Sequence, residues 1–225
     1  MSEQASVAGR HSPVEAFTVE RPALRGVLHL GATLAALAGA ALLLLIADSP
    51  TGYVGAAVFA TSLILLYGTS ATYHSVRWGP TPRRIVKRLD HAMIFALIAG
   101  TYTPFCLKVS LAWGIPILSV VWSLAGAGAL LKVIWPDAPR WLGVTLYIGL
   151  GWVGVVAASE VLNHFSPLEL GLLALGGALY TLGGIVYALR RPDPLPRVFG
   201  YHEVFHTLVV AASAIHFSLI AIFVL

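Results

Sequence analysis

Apolar residues fall into seven long runs, at about 26–47, 53–73, 91–107, 113–133, 141–159, 168–189 and 201–225, and polar residues gather in the short stretches between them. About twenty apolar residues are enough for a helix to cross the hydrocarbon core of a bilayer. The pattern predicts an all-α protein, a seven-transmembrane helix bundle over residues 26–225, preceded by a short polar segment over residues 1–25. No second domain fits between the runs. The stretches "GLGWVG" (149–154) and "GGALYTLGG" (176–184) supply small residues at spacings that let helices approach closely, so their glycines are expected to serve packing.

The polar connections set an orientation. Arg10, Arg21 and Arg25 precede the first run; Arg77, Arg83, Arg84, Lys87 and Arg88 fill the second-to-third connection. Lys132 and Arg140 flank the fourth-to-fifth, and Arg190, Arg191 and Arg197 lie in the sixth-to-seventh. These alternate connections carry thirteen of the fourteen basic residues, with Lys108 alone on the opposite side. The opposite loops hold Asp48 and Glu160. Because Lys and Arg collect on the cytoplasmic side of a membrane, the expected topology is N-terminus cytoplasmic and C-terminus outside.

Composition agrees with this picture. The 225 residues are 58% hydrophobic and 11% charged, with a mean hydropathy of +0.83, whereas about a quarter of the residues of an ordinary soluble domain are charged. The net charge of +4 and the isoelectric point near 9.4 therefore report membrane orientation, and no nucleic-acid partner is expected. Cys106 is the only cysteine, which excludes an internal disulfide. The first residues lack the basic, apolar and small-residue order of a secretory signal.

Chemistry enters with "YHEVFH" at 201–206. His202 and His206, four residues apart on a helix, share a face about 6 Å apart and can chelate one ion. The stretch also matches H-E-x-x-H, in which the glutamate serves a zinc hydrolase as general base. Zinc needs a third protein ligand. Downstream there is no Asp or Glu, and His216 lies ten residues on, about 15 Å along the axis. The third ligand must come from another helix, and His74, which closes the second run in "SATYHSVRW", lies at the same depth. His91 and His29 are weaker candidates. His91 is read as a group behind the ligands or a helix start, and His29 as a hydrogen-bonded structural histidine or an interface residue.

Ser70 stands one helical step before His74, and Asp90 arrives at the end of "PTPRRIVKRLDH". Both lie where they could orient a water on the metal. Equally, Asp90 could cap the third helix and Ser70 could serve helix packing. Ionisable groups inside a membrane are costly and tend to mark function. Three histidines leaving one position open make the catalytic type of zinc site, in which the metal lowers the pKa of bound water toward about 7.

The stretches "SATYH" (70–74), "RLDHAMIFALIAGTYTPF" (88–105) and "YHEVFHTLVVAASAIHF" (201–217) together resemble the hemolysin III group of the progestin and adipoQ receptor family, and are similar to the core of the adiponectin receptors. The resemblance implies zinc held by His74, His202 and His206, with Ser70 and Asp90 positioning the water. It also implies a hydrolase of a lipid amide or ester, with membrane lipids as partners and a hydrophobic lipid substrate. The receptors it resembles carry glutamine where this chain has Glu203, which moves Glu203 from catalytic base to a residue behind the ligands or facing the cytoplasm. Lacking the receptors' long N-terminal domain, the chain is not expected to take a hormone. Its expected place is the bacterial inner membrane. The alternatives are a non-enzymatic sensor or regulator with a structural zinc and, last, a pore former, which would want a polar stripe that the fourth to sixth runs lack.

Overall fold

The structure is a computed structural model that describes residues 24–225. Apart from its last two residues, the polar segment 1–25 lies outside the described residues. Seven helical spans follow one another: α1 (Val27–Ile46), α2 (Pro50–Ser75), α3 (Pro80–Lys108), α4 (Leu111–Ile134), α5 (Arg140–His164), α6 (Pro167–Leu189) and α7 (Tyr201–Val224). The described residues are otherwise connections and one isolated bridge between Leu195 and Phe199.

Local chemistry explains several helix starts. Ser49 accepts a hydrogen bond from the Gly52 amide at 3.0 Å ahead of Pro50, which supplies the fixed φ suited to a first helical residue. At α6, Ser166 accepts from the Glu169 amide while Glu169 accepts from the Ser166 amide at 2.7 Å, with Pro167 between them, a reciprocal capping box.

Neighbouring spans pack in sequence, with α2 against α1 and α3, α3 against α4 and α6 against α7, and α1 meets α7 to close the ring. Leu43, Ala56, Phe59, Leu219 and Ile220 are wholly buried at the centre of the main core, and Phe95, Ala99 and Val121 fill a second core between α3 and α4. The outside is apolar as well: Leu45 is 83% exposed and Val156 82%. A surface of that kind suits lipid. Among the described residues six of the spans are long and apolar enough to cross a membrane. The exception is α3, whose first turns carry Arg83, Arg84, Lys87, Arg88 and Asp90.

Two sequence expectations change here. The basic stretch before His91 is helical, because Gly79 and Pro80 start α3 eleven residues earlier than the apolar run does. Asp90 is thus inside a helix and caps nothing. The fifth span is also broken, with α-helix to Gly151, a 3₁₀ turn over Val153–Ala157 and helix again from Ala158 to His164. Tyr102 of α3 repairs the break, its hydroxyl donating to the Gly151 carbonyl at 2.7 Å and accepting from the Gly154 amide at 2.8 Å. Gly149 and Gly151 face open space, whereas Gly154 packs against Tyr102, Gly176 against His216, and Gly183 and Gly184 against Phe205 and Val144.

Candidate metal centre

His74 lies in the last turn of α2, and His202 and His206 occupy the first turns of α7 on one face. Antiparallel packing of spans that end and begin at the same side brings them together. The Nε2 atoms of His74 and His202 are 3.2 Å apart. The ring of His206 is centred 4.5 Å from that of His202 and 5.2 Å from that of His74, and one ligand atom from each of the three lies within 4.8 Å of the others. Two imidazole nitrogens held tetrahedrally at about 2.0–2.1 Å from a zinc ion stand about 3.3 Å apart. The observed spacing fits, the donors are all neutral-capable imidazoles, and Nδ1 of His206 is buried without a hydrogen-bond partner. This group can hold a metal ion.

A fourth imidazole adjoins the three. His29 of α1 stacks on His206, with ring centroids 3.7 Å apart and planes inclined by 14°, and meets the edge of Tyr67. It is buried, and neither ring nitrogen has a hydrogen-bond partner. The hydrogen-bonded role expected for it is not found. Its depth at the start of α1, level with the end of α2, was the signal that could have placed it.

Glu203 is 0% exposed and does not face solvent. Its carboxylate accepts from Arg25 Nε at 2.6 Å and from the Gly200 amide at 2.9 Å. It joins the start of α1 to the first turn of α7, between the two histidines.

Beside the cluster a cavity of about 530 Å³ is bounded by residues of all seven spans. Its wall includes His202 and His206, and also Ser70 and Asp90, both buried, with the Ser70 side chain near the Asp90 carboxyl. Leu66, Leu97 and Val209 continue the wall inward. His74 is not among the residues that border this space. His91 borders it too, and its carbonyl accepts from the Tyr147 hydroxyl at 3.1 Å. His216 lies further along, its Nε2 3.2 Å from the Leu173 carbonyl, at the boundary with a second cavity of about 330 Å³. Sequence reasoning overlooked Lys132, which is buried in the wall of the first cavity, because a basic residue near a helix end reads as an orientation signal.

The model of a family described as haemolysin-III related matches residues 17–217. The chain is 31% identical to a protein named hemolysin-3 homolog from Bacillus subtilis, over 89% of this chain and 93% of that one. It is 32% identical to the adiponectin receptor protein of Drosophila melanogaster over 64% of this chain, which spans 35% of that receptor. It is also 24% identical to the human monocyte to macrophage differentiation factor over 96% of this chain and 88% of the relative. The chain belongs to the haemolysin-III related family and is a multi-pass integral membrane protein.

Proposed function

We propose that this haemolysin-III related protein is a zinc-dependent hydrolase of a lipid amide or ester, seated in the bacterial inner membrane with its N-terminus cytoplasmic. The observation that carries the reading is the meeting of three imidazoles from two helices beside a cavity that is also lined by a buried carboxyl. The basic residues at the histidine end support the orientation, since cations stay on the cytoplasmic side. Residues 26–225 form the membrane domain.

His74, His202 and His206 would hold the ion, which when bound supplies Lewis-acid polarisation and a lowered pKa for water. The rest falls to the chain. Asp90 takes a proton from the attacking water onto a carboxyl oxygen and returns it to the leaving nitrogen or oxygen, so that it ends each cycle unchanged. Ser70 orients that carboxyl. Leu66, Leu97 and Val209 exclude bulk water and receive the apolar part of the substrate.

Lipid analysis of membranes expressing wild type, His74→Ala and Asp90→Ala tests this. The expected result is one class of acyl amide or ester depleted, with its free acid raised, by wild type alone. Identical lipid pools in all three would defeat the reading.

A second reading, a closed zinc site of a non-enzymatic regulator in which Asp90 of α3 joins the three histidines as a direct fourth ligand, draws on His74 standing apart from the cavity. In that case Asp90→Ala would leave lipids alone and lower metal affinity and thermal stability together.

A further inference from the structure

Lys132 has an unusual place for a cation. It is only 7% exposed, on the last turns of α4. Its ammonium lies against α5, where a Cβ on Gly143 would stand 2.5 Å from Nζ and 3.1 Å from Cε. The absence of a Cβ there lets the ammonium lie in this position. Among the described residues no carboxylate is within ion-pair distance of Nζ; the pairs there are Arg25–Glu203, Lys108–Glu169 and His164–Glu160.

A buried ammonium without a partner is costly, and the cost falls when an anion arrives. Cytoplasmic placement of basic residues accounts for Arg190, which is exposed. It does not account for a lysine folded into a cavity wall.

Lys132 also has company. Lys87, Arg140 and Arg190 line the same end of the cavity, with Asp90 and Asp137 as the acids. Lys87, Lys132 and Arg140 all lie close enough to His91 to act on its ring electrostatically. The Arg140 guanidinium is held in place, 4.9 Å over the Tyr187 ring and donating to the Tyr187 carbonyl at 3.4 Å. Four cations against two acids leave an excess of about two positive charges, which matches a phosphomonoester at about −1.5 to −2 better than a single carboxylate.

We propose that this end of the cavity is a phosphate-binding site anchored by Lys132, with the phosphate carried by a membrane lipid or present as the free ion. Lys132 and Lys87 meet it as point charges and Arg140 as a fork of N–H donors. The apolar wall beyond would take the chains of a phospholipid. The site goes beyond the hydrolytic reading and does not need it: binding is read without turnover, so a protein that hydrolyses nothing can pass the test and a hydrolase can fail it.

The test uses the full chain, solubilised in a neutral detergent. Retention of dioleoylphosphatidic acid and of dioleoylglycerol, which differ by the phosphate, is compared by native mass spectrometry for wild type, Lys132→Met, Lys87→Met and Arg140→Gln. Thermal unfolding with and without inorganic phosphate is read alongside. Wild type is expected to hold the phosphatidic acid at least about tenfold more tightly than the diacylglycerol, since charge-assisted hydrogen bonds to a desolvated ligand carry that much. Lys132→Met should bring the ratio to within about twofold, and Lys87→Met and Arg140→Gln should lower it less. Stabilisation of wild type, but not of Lys132→Met, by inorganic phosphate without a lipid preference would assign the site to the free ion. Equal retention of the two lipids with no effect of inorganic phosphate, or a full preference kept by Lys132→Met, overturns the proposal. If Lys132→Met does not fold, unchanged preference in both other variants overturns it.

Discussion

Arg25 and Glu203, 178 residues apart in the chain, meet through two contacts, Nε to Oε1 at 2.6 Å and a terminal guanidinium nitrogen to Oε2 at 3.3 Å. The carboxylate is fully buried and the guanidinium only partly so. Since Glu203 stands between His202 and His206, this pair fixes the turn of α7 that presents both rings.

Breaking such a pair leaves one charge buried and unmatched, at a cost of about 3–5 kcal/mol. Arg25→Ala strands the carboxylate and is expected to reach that range, while Glu203→Gln, which keeps a side-chain acceptor for the Gly200 amide, should cost less. Denaturant unfolding in mixed micelles measures both. Equal, negligible losses would show that the contact does not hold α1 to α7.

Metal content should depend on all three histidines. His74→Ala removes one ligand of three and is expected to lower zinc affinity by more than about 100-fold, beyond the 10–100-fold typical of losing a mere supporting group. Elemental analysis of purified protein should fall from one zinc per chain to a small fraction. Imidazole binds metal only when neutral. Retained zinc should therefore decline on acidification and return on neutralisation.

Asp90→Asn separates metal holding from proton transfer. The variant keeps the shape and a hydrogen-bonding partner for Ser70 but loses the base. Zinc content should stay at the wild-type level while turnover of a lipid amide or ester drops about 10²–10⁴-fold, the share usual for general acid–base catalysis. Loss of zinc in Asp90→Asn would instead point to Asp90 as a fourth ligand of a structural zinc.

Tyr102→Phe exposes the break in α5. Its hydroxyl satisfies the Gly151 carbonyl and the Gly154 amide where the helix is broken. A loss of about 1–3 kcal/mol is expected, with faster hydrogen exchange confined to residues around 151–157. Exchange unchanged there would mean the turn holds without it.

Much of this protein is written in its residue pattern, because a bilayer demands long apolar segments and, among the described residues, six of the seven spans meet that demand. The pair His202 and His206 is equally legible, since a helix sets their spacing without help from any other part of the chain. His74 could be nominated by depth, because alternating spans bring the end of α2 and the start of α7 to one side.

What depends on packing across the bundle could not be read in this way. Nothing local tells that His29 stacks on His206, that Arg25 reaches Glu203, or that Lys132 turns inward against Gly143. Hydropathy misplaced the start of α3 because charged residues hide a helix that a Gly-Pro start still permits, and it joined α5 through a turn whose backbone Tyr102 satisfies from another span. Periodicity and length act along one helix and are set by the chain itself. Which side chains share a buried space is decided by how helices rotate and cross, and only the folded bundle sets that.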